Sequence, residues 1–189
     1  MKVLEEKIKN YYKDYEVMPF ISKDRDLKEW LEEVELSKSK LVPKRNMQRT
    51  KEGLVAGDVI LMWRVNFGTF TTESIKPGMY PKYFEYSYGI DAPNNLEILI
   101  KEGYIKIDSI KDSLQHTTIT NLKKFLKDNK VVGISKMKKE DVYTYIKDNF
   151  SEDELSKYIK VLGYSLTEKG KNTLSNNSDI IDKHPKKKF

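Results

Sequence analysis

The residues best suited by type and spacing to binding a ligand lie between positions 123 and 139, where lysines recur at short intervals. They are Lys123, Lys124, Lys127, Lys130, Lys136, Lys138 and Lys139, together with Ser135. A lysine ammonium attracts a phosphate as a point charge, whereas reading a base edge requires arginine, asparagine or glutamine. Of those three types, residues 119–139 offer only Asn121 and Asn129. The pattern predicts weak, salt-sensitive contact with the backbone of double-stranded DNA and little sequence preference.

Two short amphipathic helices, joined by a turn, have to position these lysines. Their apolar residues recur at intervals of three and four, which predicts one buried side on each helix. The apolar set is Ile119, Leu122, Phe125 and Leu126 in the first helix, Val142, Tyr145 and Ile146 in the second, and Val131, Val132 and Ile134 between them. Thr118 or Thr120 is suited to cap the first helix, and Gly133 allows the chain to turn. The amino end of the second helix adds backbone N–H donors that suit a phosphate oxygen.

The order of leucine-bearing helix, short apolar turn, Ser-x-x-Lys-Lys and second helix resembles the SAP domain, a helix-extended-helix DNA-binding module. In that family the turn is usually Ser-Gly-Lys-Lys; here Ser135, Met137, Lys138 and Lys139 match, and Lys136 takes the glycine position. The resemblance covers residues 117–150 and implies binding of double-stranded DNA. The flanking runs 83–90, 99–105 and 164–170 resemble uncharacterised SAP domain-containing proteins of low-GC Gram-positive bacteria and their phages. No biochemical activity comes with that wider group.

The distribution of charge agrees with this interpretation. Residues 1–119 hold 19 Lys and Arg against 19 Asp and Glu, whereas residues 120–189 hold 16 against 10, which is the whole net charge of +6. A basic end is expected of a chain that meets a polyanion. The alternative is that the lysines are only solvated surface. The chain would then be a non-enzymatic protein-interaction scaffold, or a phage or mobile-element accessory protein that contacts a protein partner through its neutral first half.

Several other classes of function find no support in the sequence. There is no cysteine, and the histidines are His116, expected as a polar cap or surface residue, and His184. No catalytic or phosphate-loop motif is present, so we predict no enzyme, no cofactor and no metal. A nuclease built from dispersed side chains would have its best site at Asp58, Arg64 and Glu73. No apolar run is long enough to cross a bilayer, which predicts a soluble cytoplasmic protein with no membrane partner.

Residues 1–80 are predicted to be a helical region with a short β element and no assigned function. Helices are expected over 2–14 and from Ser22 or Asp24 onward, the second one burying Leu27, Trp30, Leu31 and Val34. The stretch 38–52 is basic and aperiodic, so it either grips phosphates or is a mobile connection. A turn at 57–58 and a strand over 59–67 follow, and 70–72 is a possible second strand.

Residues 81–175 are predicted to be helical and to contain the SAP-like segment. A short aromatic helix ends at Gly89, and the next helix begins around Pro93 and closes at Gly103 before an extended Tyr-Ile-Lys-Ile. A helix followed by Gly-Tyr-Ile, and Tyr-x-Leu-Thr-Glu-Lys-Gly at 164–170, both resemble winged-helix proteins. Ser151 and Glu154 form a capping box, a last helix spans about 168–174, and residues 176–189 are predicted to be a disordered basic tail. The predicted fold class is mainly α with a small β element (α+β).

Overall fold

The computed structural model describes residues 2–185, and within that range the chain is mainly helical with one small antiparallel sheet. The elements are α1 (Lys2–Tyr12), α2 (Leu27–Leu36), α3 (Ala56–Val65), α4 (Tyr83–Tyr86), α5 (Ala92–Lys101), β1 (Ile105–Ile107), α6 (Ile119–Asp128), α7 (Lys139–Asn149), α8 (Glu152–Ser156), β2 (Tyr164–Leu166), α9 (Glu168–Asn176) and α10 (Ser178–Asp182). The predicted fold class is confirmed. None of the helices in this range is long and apolar enough to span a membrane.

Helix α3 lies at the centre of the main hydrophobic core, and residues 59–62 are fully buried. The strand predicted over 59–67 and the turn before it are therefore wrong, because Ala56–Val65 is helical. The segment 70–72 cannot pair back on it as predicted; Thr71 instead forms a β-bridge with Gly163. A helix buried on every side needs no polar face, so its sequence lacks a helical period. Its apolar, β-branched residues are then indistinguishable from those of a buried strand.

The strands β1 and β2 pair across a long stretch of sequence. Ile105 lies opposite Leu166, and Thr71 forms an isolated antiparallel bridge with Gly163, directly before β2. Helix α5 immediately precedes β1, and α3 packs against both α5 and β2. The two segments that resemble winged-helix proteins are thus neighbours in one helix-and-hairpin arrangement. Residues 108–163, called the helical insert below, take the place of a short hairpin loop.

The helical insert has a hydrophobic core of its own. This core consists of Leu114, Leu122, Phe125, Leu126, Val142, Ile146, Leu155 and Ile159. The main core is built instead from α3, α4, α5 and both strands, with side chains of α9 and α10 packed against it. It contains both Ile75 and Phe84, so the boundary predicted at position 80 falls inside it. The chain therefore builds the insert and the main body around separate apolar cores.

Helices α1 and α2 form a third apolar cluster at the amino end. Trp30, Leu31 and Val34 are buried in it, as predicted from their spacing. This region is tied to the main body by Arg25, whose side chain is 3% exposed and whose Nε donates a hydrogen bond to Glu85 Oε1 at 2.8 Å. Position 25 directly precedes Asp26, the N-cap of α2, whose carboxylate accepts hydrogen bonds from the Lys28 and Glu29 N–H groups at 3.0 Å.

The carboxyl-terminal segment is more ordered than its composition suggests. The prediction of a disordered tail from residue 176 onward is wrong for the first part of that segment, because α10 spans Ser178–Asp182. The His184 ring also packs against Trp63, Tyr83 and Tyr88. The Tyr88 hydroxyl lies 2.6 Å from His184 Nδ1. Burial, with Arg64 nearby, lowers the pKa of His184, which keeps the ring neutral in this apolar setting. The rest of the predicted tail, 186–189, lies outside the described residues.

Candidate nucleic-acid interface

Helix α6 carries three of the predicted lysines and is held in place by its apolar side. Its buried residues are Leu122, Phe125 and Leu126. Lys124 and Lys127 are exposed on the other side, and Lys123 is half-buried. The Thr118 hydroxyl accepts a hydrogen bond from the Asn121 N–H at 3.3 Å, which confirms the predicted cap. The sequence pattern thus fixes the direction in which this lysine face points relative to the core of the insert.

The connection between α6 and α7 turns the chain at two residues with left-handed backbone. Lys130 has φ of 60° and Gly133 has φ of 77°. Such a conformation suits glycine and is uncommon for lysine. Val131 and Ile134 pack against the core of the insert, as predicted. Val132 is 87% exposed, so the prediction that it fills the core is wrong.

The remaining predicted residues are Ser135 and Lys136 in a 3₁₀ turn beside α6, Lys138 directly before α7, and Lys139 at the first position of α7. All of them are exposed. The Asp141 carboxylate accepts a hydrogen bond from the Lys138 N–H at 2.9 Å, and Glu140 lies in the same first turn. These acidic groups neutralise part of the positive charge that the helix dipole places at the amino end of α7. The amino end of α7 is therefore a poorer phosphate site than its position in the sequence suggests.

A shallow groove shows how the lysines are arranged along α6. It has a volume of about 270 Å³ and is lined by residues 115–119 together with Lys139 and Tyr143. Lys139 thus lies beside the amino end of α6, whereas Lys127 and Lys130 lie at its carboxyl end. A helix of ten residues is about 15 Å long. Lys123 and Lys124 lie between these ends, so the predicted lysines are spread along α6 rather than gathered at one point.

The lysine side chains of the predicted site are available to an external anion. Within residues 2–185, the salt bridges that the structure contains involve none of the seven predicted lysines. The Lys139 Nζ lies 5.4 Å from the centroid of the Tyr143 ring, a weak cation–π contact. Their positive charge is therefore not neutralised inside the described part of the chain.

The insert rejoins the sheet at Gly163, and His116 belongs to this junction. The Gly163 N–H donates a hydrogen bond to the Ser113 hydroxyl at 2.9 Å. A Cβ at position 163 would come within 2.6 Å of His116 Nε2 and 2.9 Å of Asp108 Oδ2. His116 is half-buried here, where it packs the joint between insert and sheet and also lines the groove beside Lys139.

The carboxylates proposed for a dispersed nuclease site each have a separate partner. Asp58 is buried, where its carboxylate accepts hydrogen bonds from the Val55 N–H at 3.0 Å and Asn95 Nδ2 at 2.7 Å. Glu73 pairs with Lys76, and the Arg64 guanidinium lies over the rings of Phe67 and Phe70. In residues 2–185, no group of three or more acidic or histidine side chains is placed to hold a metal ion.

Sequence reasoning missed the extent of a second basic surface. The stretch 38–52 was predicted to grip phosphates or to be mobile; the structure anchors it through Val42 and Met47, which are both buried. Together with α9 and α10 it lines a cleft of about 790 Å³. The positive charge of residues 38–52 is evident from the sequence. The opposite wall of the cleft, however, belongs to the segment predicted to be disordered.

Comparisons of the chain with family models, with curated proteins and with solved structures found no match.

Proposed function

We propose that the helical insert binds double-stranded DNA through its lysines, with weak dependence on base sequence. The observation that carries the proposal is the set of unpaired lysines held on the outer side of a compact helical pair with its own core. Each lysine that meets a phosphate releases a condensed counterion, which is a favourable contribution that added salt removes.

The arrangement of the lysines suits a duplex. Lys139 lies beside the amino end of α6 and Lys127 lies in its last turn, and these ends are separated by about the length of the helix, roughly 15 Å. Successive phosphates of one strand advance by about 3.4 Å along the axis, so these lysines can meet phosphates several nucleotides apart or on opposite strands. The insert therefore has the reach to track a backbone rather than to hold a single phosphate.

The amide side chains near these lysines are few. Asn129 Nδ2 donates to the Phe125 carbonyl oxygen at 2.8 Å, and Asn149 Nδ2 donates to the Tyr145 carbonyl oxygen at 2.9 Å, so both amides are occupied within their helices. Asn121 remains, together with Gln115, which lines the groove beside Lys139. Phosphate contacts position a duplex without reporting its sequence, which supports weak specificity.

A salt titration tests the proposal. We compare the wild-type chain with a triple variant in which Lys136, Lys138 and Lys139 are replaced by glutamine, measuring the anisotropy of a short fluorescent duplex. If each lysine meets one phosphate, the variant loses about 2.7 from the salt slope and up to about 500-fold in affinity at ~0.1 M salt.

The matched control is a triple variant with the same change of net charge, in which the exposed Lys9, Lys13 and Lys28 become glutamine. This variant is expected to bind the duplex with nearly wild-type affinity and slope. Equal binding by the wild type and the 136/138/139 variant would refute the site. Absence of duplex binding by the wild type would instead favour the interaction scaffold.

A further inference from the structure

A polar cleft on the main body carries arginine, a residue type that the insert lacks. It lies between residues 43–52 and the α9–α10 region and has a volume of about 790 Å³. Its charged and amide-bearing lining includes Arg45, Gln48, Arg49, Lys51, Asn176 and Lys183. None of these residues belongs to the helical insert, so the cleft is a separate surface.

The walls of the cleft are fixed by contacts that do not use its cations. Asn46 Nδ2 donates to the Ser87 carbonyl oxygen at 2.8 Å, which holds one wall against the end of α4. The Glu52 carboxylate accepts from the Asn177 side chain at 3.2 Å and from the Asn176 side chain at 3.3 Å, which joins the two walls. The hydrogen bond from Asn177 is the main reason that the pKa of Glu52 is lowered, so this tie stays ionised. A ligand would therefore meet a preformed surface.

The cleft carries an excess of positive charge. Its acidic members are Glu52, already bonded to the two asparagines, and Asp179, whose Oδ2 lies 3.1 Å from Lys183 Nζ. Arg49 Nη1 donates to the Gly53 carbonyl oxygen at 2.6 Å, and the other N–H groups of this guanidinium remain for a ligand. The side chains of Arg45 and Lys51 are exposed and belong to no salt bridge within residues 2–185.

The chemistry of these side chains matches a nucleic-acid backbone with accessible base edges. Arginine binds a phosphate or a guanine edge with two parallel hydrogen bonds, and glutamine does the same with adenine. Arg45 and Gln48 stand three positions apart on this wall, both exposed. Pro185 lines the opposite side and is followed in the sequence by Lys186, Lys187 and Lys188, which extend the basic composition.

We propose that this cleft is a second DNA-contacting surface, in which Arg45 and Lys51 bind phosphates and Gln48 lies within reach of a base edge. The choice of DNA as ligand rests on the function proposed for the insert, but the cleft shares no residue with it. One protein molecule would thus hold duplex DNA through lysines on the insert and through arginine and glutamine on the main body.

The test uses the full chain with Arg45 and Lys51 both replaced by glutamine. Neither side chain is part of a hydrophobic core, and circular dichroism checks that the variant folds. In the anisotropy titration we expect the salt slope to fall by about 1.8 and the affinity to drop by about 60-fold at ~0.1 M salt, if each cation meets one phosphate. A control variant with the same charge change, Lys9→Gln with Lys28→Gln, is expected to bind as the wild type does.

The results separate this inference from the function proposed for the insert. Loss of binding in the insert variant alone overturns the cleft and leaves the insert as the site. Loss in the cleft variant alone supports the cleft and overturns the insert, and loss in both supports both. If ATP binds the wild type but not the Arg45/Lys51 variant, while duplex binding is unchanged between them, the cleft is a nucleotide site and the DNA inference fails.

Discussion

Replacing Leu126 by alanine is expected to destabilise the helical insert, so that it unfolds at a lower urea concentration than the main body. Leu126 is 0% exposed and belongs to the core of the insert, which is separate from the main core. A buried leucine-to-alanine change costs about 3 kcal/mol through lost burial and the cavity left behind. A unit of about 56 residues is stable by roughly 3–8 kcal/mol. The substitution therefore removes a large part of what keeps the insert folded.

The two tryptophans make the measurement possible, because Trp30 and Trp63 both lie outside the insert. Tryptophan fluorescence follows the main body during a urea titration, and far-ultraviolet circular dichroism follows all helices. For Leu126→Ala we expect a helical transition at low urea and a tryptophan transition with its wild-type midpoint. Leu61→Ala, which opens a cavity in α3, serves as the matched control and is expected to shift the tryptophan transition instead.

One result would refute the reasoning about two cores. If both signals of Leu126→Ala change together at a single, lowered midpoint, the insert and the main body unfold as one cooperative unit. The hairpin formed by β1 and β2 would then transmit stability between them. The same variant should also lose duplex affinity if the lysines bind only when α6 and α7 are folded.

Two further predictions concern buried charges. Burial raises the pKa of the Asp58 carboxyl, so its ionised form destabilises the folded state at about pH 7, and protonation removes this penalty as the pH falls through the raised pKa. Asp58→Asn keeps an oxygen for the Val55 N–H, and the Asn95 amide, which donates to the other Asp58 oxygen, has to rotate so that its own oxygen accepts from the new NH2 group. With both contacts kept, the variant should raise the free energy of unfolding at about pH 7 and raise it less as the pH falls through the raised pKa; a larger gain at the lower pH in urea titrations would contradict this. Arg25→Ala should lower the free energy of unfolding by about 3 kcal/mol, because it leaves the Glu85 carboxylate without its partner; a loss under about 1 kcal/mol would count against this role.

Periodicity predicted the helices that bury only one side. It failed for α3, which is buried almost all round. The apolar spacing in α2 and α6 reports a boundary between core and solvent, so both helices were predicted correctly, with the first predicted core residue of each, Leu27 and Ile119, only partly buried. Helix α3 crosses no such boundary, and nothing in its sequence separates it from a strand. The prediction failed where the element is deepest in the fold.

Contacts distant in sequence were the other source of error. Segments 105–107 and 164–166 each resemble part of a wing, but their pairing spans the whole insert and leaves no local signal. The order of α10 likewise depends on aromatic side chains of α3 and α4 that hold His184. For the candidate site, the identity of the lysines is readable from the sequence, whereas the placement of Lys139 beside the amino end of α6 follows from how α7 packs.

The exposed side of α5 is too acidic to attract DNA. In a helix-turn-helix arrangement, the helix that enters the major groove offers the residues that contact base edges. The exposed positions of α5 are Asn94, Glu97, Ile98 and Lys101, and Glu102 follows at its end. Two carboxylates beside a single lysine repel a phosphate backbone rather than attract it. The positive charge lies instead on the insert that extends the hairpin and on the 43–52 wall. If α5 itself bound DNA, Glu97→Gln would strengthen duplex binding and both lysine and arginine variants would leave it unchanged.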